Sequence, residues 1–556
     1  MKPKIAMIGC AALAIILSVF SCRSESPRVK GEPLSVLTWV QPSGPSDLAG
    51  GRARGGTFLD SNTGADAGKR VSGGSTATGS PVEAQWAKGV LKDEVDTYYR
   101  STSVDSAGNV YAAGYVLHGG LAHLGDGIAV HGIDLGANVM IVKYDSSGRT
   151  IWARSVEEGS TISRFYSVAV DASGNAYAVG IVGKGVVKFG GNVTVEGKFE
   201  GMNLLLVKYD ASGQAQWART LASAHGDSEF NSVAVDGEGR VYATGYFVAN
   251  EGESIDFPHQ APRYKATPQG VGGGAVLAQL DSNGDVLWVA QVAGKRSSSF
   301  YSVTVDESGN AYVAGYILAD GTYAFGNGVL LKGPSKKFNT ILVKYDNAGK
   351  ARWARSNTDG GDNCMFYSVS LDSTGNIYAA GEIKGKGEYD FGSEVTVHGS
   401  SEKRNPLLVK YDSSGATQWV RSLVSGPGDF EYHASAVDDR YVYLAGALEI
   451  KSKNETYDFG TGRTVQSGRY SGLMEFVLAY DFSGTPKWVL MPPSKGAGRI
   501  EIRSICPTGS DSLIMAGTLV AMGSLDLGGG VTVDGSYPSH NLFLAKYRRG
   551  SLPPEQ

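Results

Sequence analysis

The sequence predicts an all-β protein made of a repeated unit, and three observations lead to that prediction. Three short phrases return in the same order along the chain, as in YSVAVD (166–171), GNAYAVG (174–180) and LLVKYD (205–210). Each phrase is rich in Val, Ile, Leu, Tyr and Ala and is bounded by Asp, Ser, Gly or Asn, which is typical of strands joined by tight turns. No segment shows a sustained helical period with capping residues. Tryptophans recur along the same stretch at a spacing of 65 to 71 residues, at Trp86, Trp152, Trp217, Trp288, Trp353, Trp419 and Trp488.

Each unit is a four-stranded antiparallel meander, with strands such as SVAVD, NAYAVG, LLVKYD and AQWART. The strand count indicates how the units are arranged. The first tryptophan strand, EAQWAKG (83–89), has no preceding partners, whereas the last set, EIRSIC, SLIMAG and LFLAKY, has no tryptophan strand after it. One surplus strand at the start and one missing at the end predict a ring in which the N-terminal strand completes the last sheet. The fold predicted is therefore a closed seven-bladed β-propeller over residues 83–547, followed by a short tail at 548–556.

The seven tryptophans are predicted to be structural. A large flat side chain can fill the gap between two twisted sheets, and a catalytic residue is rarely needed seven times in one chain. In the hairpin LLVKYDASGQAQWART (205–220), Asp210 is expected to bond turn amides and Gly213 to adopt a left-handed conformation. The recurring DASGN-type turns favour an Asx turn over a calcium site, because they usually offer one carboxylate. We expect no metal, no cofactor and no catalytic residue.

These phrases resemble the bacterial β-propeller repeats known as SBBP repeats, and the resemblance covers residues 83–547. It implies a propeller and an exported location. The family has no catalytic residues that could be carried over to this chain.

The N-terminus resembles a lipoprotein signal peptide. MKPK and a short apolar core are followed by SVFSC, in which Val19 and Ser21 fit a lipobox and the bulkier Phe20 is similar to the looser lipoboxes of spirochaetes. The resemblance implies cleavage after residue 21 and attachment of a diacylglyceryl thioether and an N-acyl chain, such as palmitate, to Cys22. Residues 22–82 are rich in Gly, Ser, Pro and Thr, which predicts a disordered tether.

Charge and cysteine content limit the partners. A formal charge of −4 does not suggest a nucleic acid or an anionic membrane surface, so the membrane contact expected is the lipid anchor alone. Cys364 and Cys506 lie in copies that are not neighbours in the repeat, which predicts two buried free thiols. We expect a monomer.

The connections between strands predict two different faces. The DxxGN and YDxxG turns lie at one edge of each blade, and the long linkers and an inserted small hairpin lie at the other, which predicts a plain face and a decorated face. The insertion carries an aromatic residue or leucine in each copy: Leu124, Phe189, Phe257, Phe325, Phe391, Phe459 and Leu527. Two linkers place His near carboxylates, His225–Asp227–Glu229 and Asp429–Glu431–His433. They could converge as acid and base, but solvated loop charges are the favoured interpretation.

Three functions agree with these observations. The leading one is a non-enzymatic, lipid-anchored surface protein of the outer membrane that binds a macromolecule, protein or glycan, through the decorated face, and adhesion is one such role. The second is a periplasmic assembly scaffold at the outer membrane. The third is a polysaccharide hydrolase or lyase that uses the loops near the axis.

Overall fold

The computed structural model describes residues 82–549, apart from 91–94, 134–135, 160, 222–225, 250–254, 257–264, 267–271, 468–471, 492–498, 510 and 521–522. The described residues all belong to one compact unit, within residues 77–556. The predicted signal peptide, Cys22 and residues 23–81 of the predicted tether lie outside the described residues, as do His225 and Phe257. Val82, the last residue of the predicted tether, begins a strand. No helix long and apolar enough to cross a bilayer occurs in the part of the chain that is described.

The described residues form strands, and the long strands make seven four-stranded antiparallel sheets, which we number 1 to 7 along the chain. The first strands are Thr97–Val104, Ser163–Val170, Ser228–Val235, Ser298–Val305, Cys364–Leu371, Asp429–Val437 and Arg499–Thr508. The second strands are Val110–Leu117, Ala176–Val182, Val241–Ala249, Ala311–Leu318, Ile377–Lys384, Val442–Ile450 and Ser512–Val520. The third strands are Ala137–Tyr144, Asn203–Tyr209, Gly272–Leu280, Phe338–Tyr345, Arg404–Tyr411, Gly472–Tyr480 and Asn541–Arg549. The fourth strands of sheets 1 to 6 carry a tryptophan each: Thr150–Arg154, Ala215–Arg219, Val286–Gln291, Ala351–Arg355, Thr417–Arg421 and Pro486–Leu490.

Sheet 7 takes its fourth strand from the other end of the domain. Val82–Lys88 pairs antiparallel with Asn541–Arg549, from Val82 opposite Arg549 to Lys88 opposite Leu544. The strand order of this sheet matches that of the other six, so Trp86 occupies the position that Trp152 occupies in sheet 1. The sheet therefore joins residues from both ends of the described chain.

A hydrogen bond from one first strand to the next connects neighbouring sheets. The donor is a backbone amide on one first strand, and the acceptor is a serine hydroxyl on the first strand of the preceding sheet. In sheet order the bonds run from Val168 to Ser101 (3.2 Å), Val233 to Ser167 (3.3 Å), Val303 to Ser232 (3.2 Å), Val369 to Ser302 (3.1 Å) and Ser435 to Ser368 (3.0 Å). The amide of Thr102 in sheet 1 donates in the same way to Ser504 in sheet 7 (3.0 Å). Ala434 stands at the equivalent position in sheet 6 and has no hydroxyl to accept a bond.

The tryptophans pack between sheets. Trp152 Nε1 donates to the carbonyl oxygen of Ala211, in the turn of the next sheet, at 3.1 Å. Its indole lies against Gly213, where a Cβ atom would sit 2.7 Å from the ring and where φ is +82°, so a residue with a side chain would be both strained and obstructed. Arg154, two places along the strand, donates from Nε to the carbonyl oxygen of Gly213 at 2.7 Å. Trp and Arg together therefore clamp the adjacent turn.

The Asp residues of the turns are satisfied within the turn. Asp171 Oδ1 accepts from the amides of Ser173 and Asn175, both at 2.9 Å, and its Oδ2 accepts from the side chains of Asn175 and Tyr177. These are Asx turns, as the sequence indicates. No group of three or more His, Cys, Asp or Glu residues suited to a metal ion occurs among the described residues.

Small hairpins follow the second strand of each sheet. Their strands are Leu121–Gly125 with Ile128–His131, Gly185–Lys188 with Thr194–Gly197, Ile255–Asp256 with Lys265–Ala266, Thr322–Ala324 with Leu330–Lys332, Glu388–Asp390 with Thr396–His398, Thr456–Asp458 with Thr464–Gln466, and Gly523–Gly528 with Val531–Gly535. Two further short strands, Glu158–Gly159 and Ala293–Gly294, belong to linkers and pair with a hairpin.

The position of these hairpins corrects the prediction of a face decorated by them. The hydroxyl of Thr150, at the start of a fourth strand, donates to the carbonyl oxygen of Leu124 at 2.7 Å, and Thr417 donates to Phe391 at 2.6 Å. The hairpins thus lie along the outer strands. In the six hairpins whose apolar residue is described, this residue is buried, and Phe189 belongs to the same core cluster as Trp152 of the preceding sheet, because the seam between outer strands needs filling.

The core lies between the sheets. The second and third strands are buried on both faces, and the largest fully buried side chains include tyrosines of nearly every sheet, such as Tyr111, Tyr177 and Tyr242. Cys364 is buried and Cys506 is half-buried, and both are free thiols.

Candidate functional site

One residue in each first strand is left unpaired by a β-bulge, and the type of this residue varies between the sheets. In sheet 1 the register shifts between Tyr99 and Ser101, which leaves Arg100 without a cross-strand partner. The equivalent residues, in sheet order, are Arg100, Tyr166, Asn231, Tyr301, Tyr367, His433 and Arg503. The flanking positions repeat, with an aromatic residue before the bulge in six sheets and a serine after it in six.

Charged and tyrosine side chains gather around these bulges. We call them the inner-strand cluster, and its members are Tyr98, Arg100, Tyr115, Arg164, Tyr166, Glu229, Asn231, Tyr246, Tyr301, Tyr316, Tyr367, Glu382, Arg404, Asp429, Glu431, His433, Glu475, Arg499, Glu501 and Arg503. Neighbouring sheets contact each other here: the rings of Tyr301 and Tyr367 lie 5.6 Å apart. The cluster lies toward the linker end of the first strands.

Arg404 organises the acidic groups of sheets 5 and 6. Its Nε atom lies 2.5 Å from Asp429 Oδ1, its Nη1 atom pairs with Glu431, and Glu382 Oε2 is 3.9 Å from Nη1. Burial would raise the pKa of Glu431, but Arg404 and other neighbours lower it below its ordinary value. Burial, and then the charge of Glu431, hold the pKa of Glu382 well above its ordinary value. A neutral carboxyl group therefore stands beside an ionised carboxylate, as in many acid–base pairs.

His433 is held in the neutral form. Its Nε2 atom donates to the carbonyl oxygen of Ile502, which fixes the tautomer, and lies 3.5 Å from Glu475 Oε2. Burial, and then the charge of Arg503, lower the pKa of His433 to about 4. Burial raises the pKa of Glu475 well above its usual range, which favours the protonated carboxyl group. Neither His433 Nδ1 nor Glu475 Oε2 has a hydrogen-bond partner among the described residues.

Glu501 is the ionised acid of sheet 7. It lies 2.5 Å from Arg499 Nη2 and 2.9 Å from Arg503 Nη2. Burial would raise its pKa, but the two guanidinium groups lower it to about 2.

Two arginines and several tyrosines form the part of the cluster in sheets 1 and 2. The guanidinium carbons of Arg100 and Arg164 lie 5.8 and 5.2 Å from the centre of the Tyr115 ring. Burial lowers the pKa of Arg100; Tyr115 opposes this effect, and the charges of Arg503 and Arg164 add to it.

Glu229 in sheet 3 faces Arg164 and is 8% exposed. Burial, and then the charge of Asp227, raise its pKa to about 8, although Arg164 acts in the opposite direction. The group is therefore mainly protonated at pH 7.

The interpretation of Glu229, Glu431 and His433 as solvated loop charges is wrong. All three lie on first strands, and their side chains are buried. Glu431 and His433 share one network, whereas Glu229 belongs to the opposite part of the cluster. Both parts act on Tyr301: burial and the charges of Glu229 and Glu382 raise its pKa. His225 lies outside the described residues.

Several members of the cluster were not predicted, among them Arg100, Arg164, Glu382, Arg404, Glu475 and Arg503. A signal for some of them exists in the repeat. Glu382 follows AAG where sheets 1, 3 and 4 have Tyr115, Tyr246 and Tyr316, and the other three sheets have an uncharged residue there, so a charge at this position is unusual in the repeat.

A groove at the rim is a second candidate. It has a volume of about 720 Å³ and lies between the hairpin of sheet 4 and that of sheet 5, with Lys332, Arg355 and Asn357 in its wall. Arg355 already donates to the carbonyl oxygens of Gly415 and Ser414 in the adjacent turn. Its guanidinium group therefore serves the scaffold.

Comparison with known proteins agrees with a propeller repeat. A family model described as SBBP, beta-propeller repeat, matches residues 287–321, which hold most of the fourth strand of sheet 3 and the first two strands of sheet 4.

An uncharacterized WD repeat-containing protein of Acanthamoeba polyphaga mimivirus is 24% identical over 236 residues, covering 38% of this chain and 17% of that protein. The regulatory protein FlaEY of Caulobacter vibrioides is 27% identical over 207 residues, covering 36% and 20%. The chain thus spans a fifth or less of the length of these relatives. Among solved structures, an apocarotenoid oxygenase of Synechocystis aligns with 82% of this chain and 95% of its own, at 12% identity and a TM-score of 0.35.

We predict that Glu229→Gln changes stability in a pH-dependent way. Between pH 4.5 and 8 the native Glu229 keeps a proton that the unfolded chain releases, so its contribution to the free energy of unfolding falls as the pH rises. Glutamine does not titrate. The difference in the free energy of unfolding, Glu229→Gln minus wild type, should therefore rise by about 1–4 kcal/mol between pH 5 and pH 8, as measured by urea unfolding.

Glu196→Gln, at an exposed hairpin position, is the control and should show no such trend. A constant difference between Glu229→Gln and wild type across this pH range would mean that Glu229 titrates normally.

Residues 287–321 thus match the model of an SBBP β-propeller repeat.

Proposed function

We propose that this chain is an exported, lipid-anchored β-propeller that binds a macromolecule, protein or glycan, without catalysing a reaction. Its seven sheets would be the blades of one closed ring. The pairing of Val82–Lys88 with Asn541–Arg549 and the bond from Thr102 to Ser504 support closure.

The inner-strand cluster is the observation that carries the binding function. At positions that hold the fold together, the same residue types recur from sheet to sheet, because each seam between sheets needs the same contacts. The bulge positions instead hold Arg, Tyr, Asn or His, and charges are costly to bury even when paired. Since most of the sheets fold with no charge at the bulge position, the fold does not require these charges. Recognition of a ligand is a reason to keep them.

The linker end of the ring is the binding face in this proposal. Arg404 and Arg499 reach solvent there, with side chains 34% and 38% exposed, above the deeply buried Glu382 and Glu475. The hairpins line the rim, so the contact surface is centred on the inner-strand cluster. This replaces a face built from the hairpins.

A second candidate, cleavage of a polysaccharide, is favoured by one observation. Glu382 and Glu431 are adjacent carboxyl groups whose pKa values are shifted in opposite directions, which is the arrangement that glycosidic acid and base catalysts need.

Closure of the ring predicts a disulfide. Ala87 lies directly opposite Ala545 in the closing pair. Replacing both with cysteine, with Cys364 and Cys506 changed to serine, should give an intrachain disulfide on mild oxidation, seen by peptide mass spectrometry.

Ala278 is the equivalent residue of sheet 3, where it faces Val289. The pair Ala87→Cys with Ala278→Cys should therefore not cross-link. Cross-linking of the control pair, or none in the first pair, would contradict the proposed ring.

Anchoring by Cys22 predicts that Cys22→Ala abolishes incorporation of labelled palmitate in bacteria that process lipoproteins. Cys10→Ala, within the apolar core of the signal, should leave labelling intact. Label retained in Cys22→Ala would contradict the anchor. Protease treatment of intact cells separates two locations: cleavage before residue 82 indicates surface display, and protection indicates the periplasmic scaffold.

The binding function predicts a ligand in a screen of the full chain against arrays of glycans and extracellular proteins. Tyr246→Ala, in the inner-strand cluster, should weaken binding. Leu330→Ala, on a hairpin at the rim and 64% exposed, should not.

If Leu330→Ala weakens binding and Tyr246→Ala does not, the binding site lies at the rim. New reducing ends or unsaturated products on incubation with a glycan would establish the second candidate and contradict a purely binding role.

A further inference from the structure

The seam between sheets 6 and 7 lacks three contacts that recur elsewhere in the domain. No turn joins the third and fourth strands of sheet 7, so Trp488 has no such turn to contact. Ala434 has no hydroxyl group that could accept the amide of the next first strand. Ala479, which lies opposite Tyr443, stands where sheets 1, 2, 4 and 5 have a lysine. The two sheets therefore have to be joined in another way.

The lysine that is missing from sheet 6 has a defined role in other sheets. In sheet 1, Lys143 lies opposite Tyr111, and its ammonium group stands over the tyrosine ring, 4.8 Å from the centre. Its Nζ atom is 4.0 Å from Asp105 and donates to the carbonyl oxygen of Ala211 in the next sheet at 3.4 Å. The lysine thus ties the Asp and Tyr of one sheet to a turn of the next. The same bond to the next sheet is made by Lys208 (2.8 Å) and Lys410 (3.0 Å).

In sheet 6 an arginine from sheet 7 makes this contact. Arg549 is the last residue of the third strand of sheet 7, and its Nη1 atom lies 2.9 Å from Asp438 Oδ2. The same nitrogen donates to the hydroxyl oxygen of Tyr443 at 2.7 Å, and that hydroxyl group donates to Asp438 Oδ2 at 2.7 Å. Asp438 and Tyr443 are the counterparts of Asp105 and Tyr111. We call Arg549, Asp438 and Tyr443 the closing latch.

The ion pair of the closing latch is buried. The side chains of Arg549 and Asp438 are 7% and 9% exposed, so solvent and salt screen their attraction only weakly. Removing one partner of a buried pair is costly, because the other charge is left without compensation. The adjacent pair of Arg548 and Asp511 differs in this respect, since its side chains are 62% and 54% exposed.

The closing latch lies beside the closing strand, Val82–Lys88. Arg549 is directly opposite Val82 in the strand pairing. The side chain of Val82 belongs to the same core cluster as Tyr443 and Trp488 of sheet 6. The closing strand pairs with one strand only, so it has no second neighbour in its sheet to hold it. Separation of sheets 6 and 7 would therefore uncover Val82 and weaken the hold on this strand.

We propose that the closing latch holds sheet 7 against sheet 6 and that its release frees the closing strand. The pair of Arg549 and Asp438 stands in for the turn, the serine bond and the lysine that this seam lacks. The domain then opens first at this seam. The inference goes beyond the proposed binding function and does not depend on the ligand.

The test is hydrogen–deuterium exchange of the full chain, followed by mass spectrometry of peptides that cover Val82–Lys88. Arg549→Met removes the charge and keeps a long side chain. We expect exchange in the closing strand to become about tenfold faster or more, because the buried Asp438 loses its counter-ion. Exchange in Val286–Gln291, the fourth strand of sheet 3, should stay unchanged, which separates local opening from a general loss of stability.

Three further variants identify the interaction. Arg548→Met, at the exposed neighbouring arginine, is the matched control and should exchange as the wild type does. Ala479→Lys, added to Arg549→Met, supplies the lysine that other sheets have and should slow exchange in the closing strand again. Asp438→Asn, added to Arg549→Met, should not speed exchange further, because both residues act through one contact.

Unchanged exchange of the closing strand in folded Arg549→Met would overturn the inference, as would an equal increase in Val286–Gln291. So would faster exchange in Arg548→Met, further acceleration by the added Asp438→Asn, or no slowing by the added lysine. Circular dichroism establishes that each variant is folded. If Arg549→Met does not fold, Asp438→Asn alone takes its place, with the same outcomes for the two strands.

Discussion

The contact between a tryptophan and the turn of the next sheet is the constraint on which the rest of this domain depends. The indole of Trp152 covers Gly213, and Arg154 donates to the carbonyl oxygens of Gly213 and Ser212 in the same turn. The equivalent contacts join Trp217 to Gly284 and Trp288 to Gly349. Because Trp86, Trp152, Trp217, Trp288, Trp353 and Trp419 each contact a turn of the following sheet, six sheets are oriented by a neighbour, and an isolated sheet would leave its indole uncovered. Trp488 is the exception, since no turn joins the third and fourth strands of sheet 7. The serine bonds between first strands hold the same seams at their inner ends.

Repetition at the seams leaves the bulge positions free to vary. A bulged residue has no cross-strand partner, so its side chain is not dictated by the ladder. Tyr301 and Tyr367 occupy this position as neutral rings, whereas His433 and Arg503 occupy it as titratable or charged groups. The network in sheets 5 to 7 is satisfied in part by Arg404, yet Glu382 Oε2 has no hydrogen-bond partner among the described residues. A buried polar group without a hydrogen-bond partner is costly and needs an explanation, such as a functional role or a bound water or ion.

Sequence reasoning reached the repeat, the strands and the Asx turns, because each depends on local chemistry. Asp171 and Gly213 take their roles from neighbours within a few residues. Trp86 could be placed in the last sheet by counting strands alone. The hairpins were predicted, but their position was not. The order of strands in a meander shows at which edge of the sheet the segment with Leu124 leaves, but it does not show in which direction the hairpin then folds. Glu382 and Arg404 could not be joined from sequence, because their pairing with Glu431 depends on the spacing of two neighbouring sheets. Burial of Glu229 was missed because linker residues look polar until the first strand is known to begin at Ser228.

The pairing of Val82–Lys88 with Asn541–Arg549 has a consequence for how the protein is made. The strand that emerges first from the ribosome has to wait for the strand of the described domain that emerges last, so sheet 7 cannot assemble during synthesis. Until then its unsatisfied edge is available to other chains, and unpaired edges are a common route to aggregation. Contacts this distant in sequence also slow folding. A chaperone that holds nascent chains extended would therefore protect this edge from aggregation until the last strand is made.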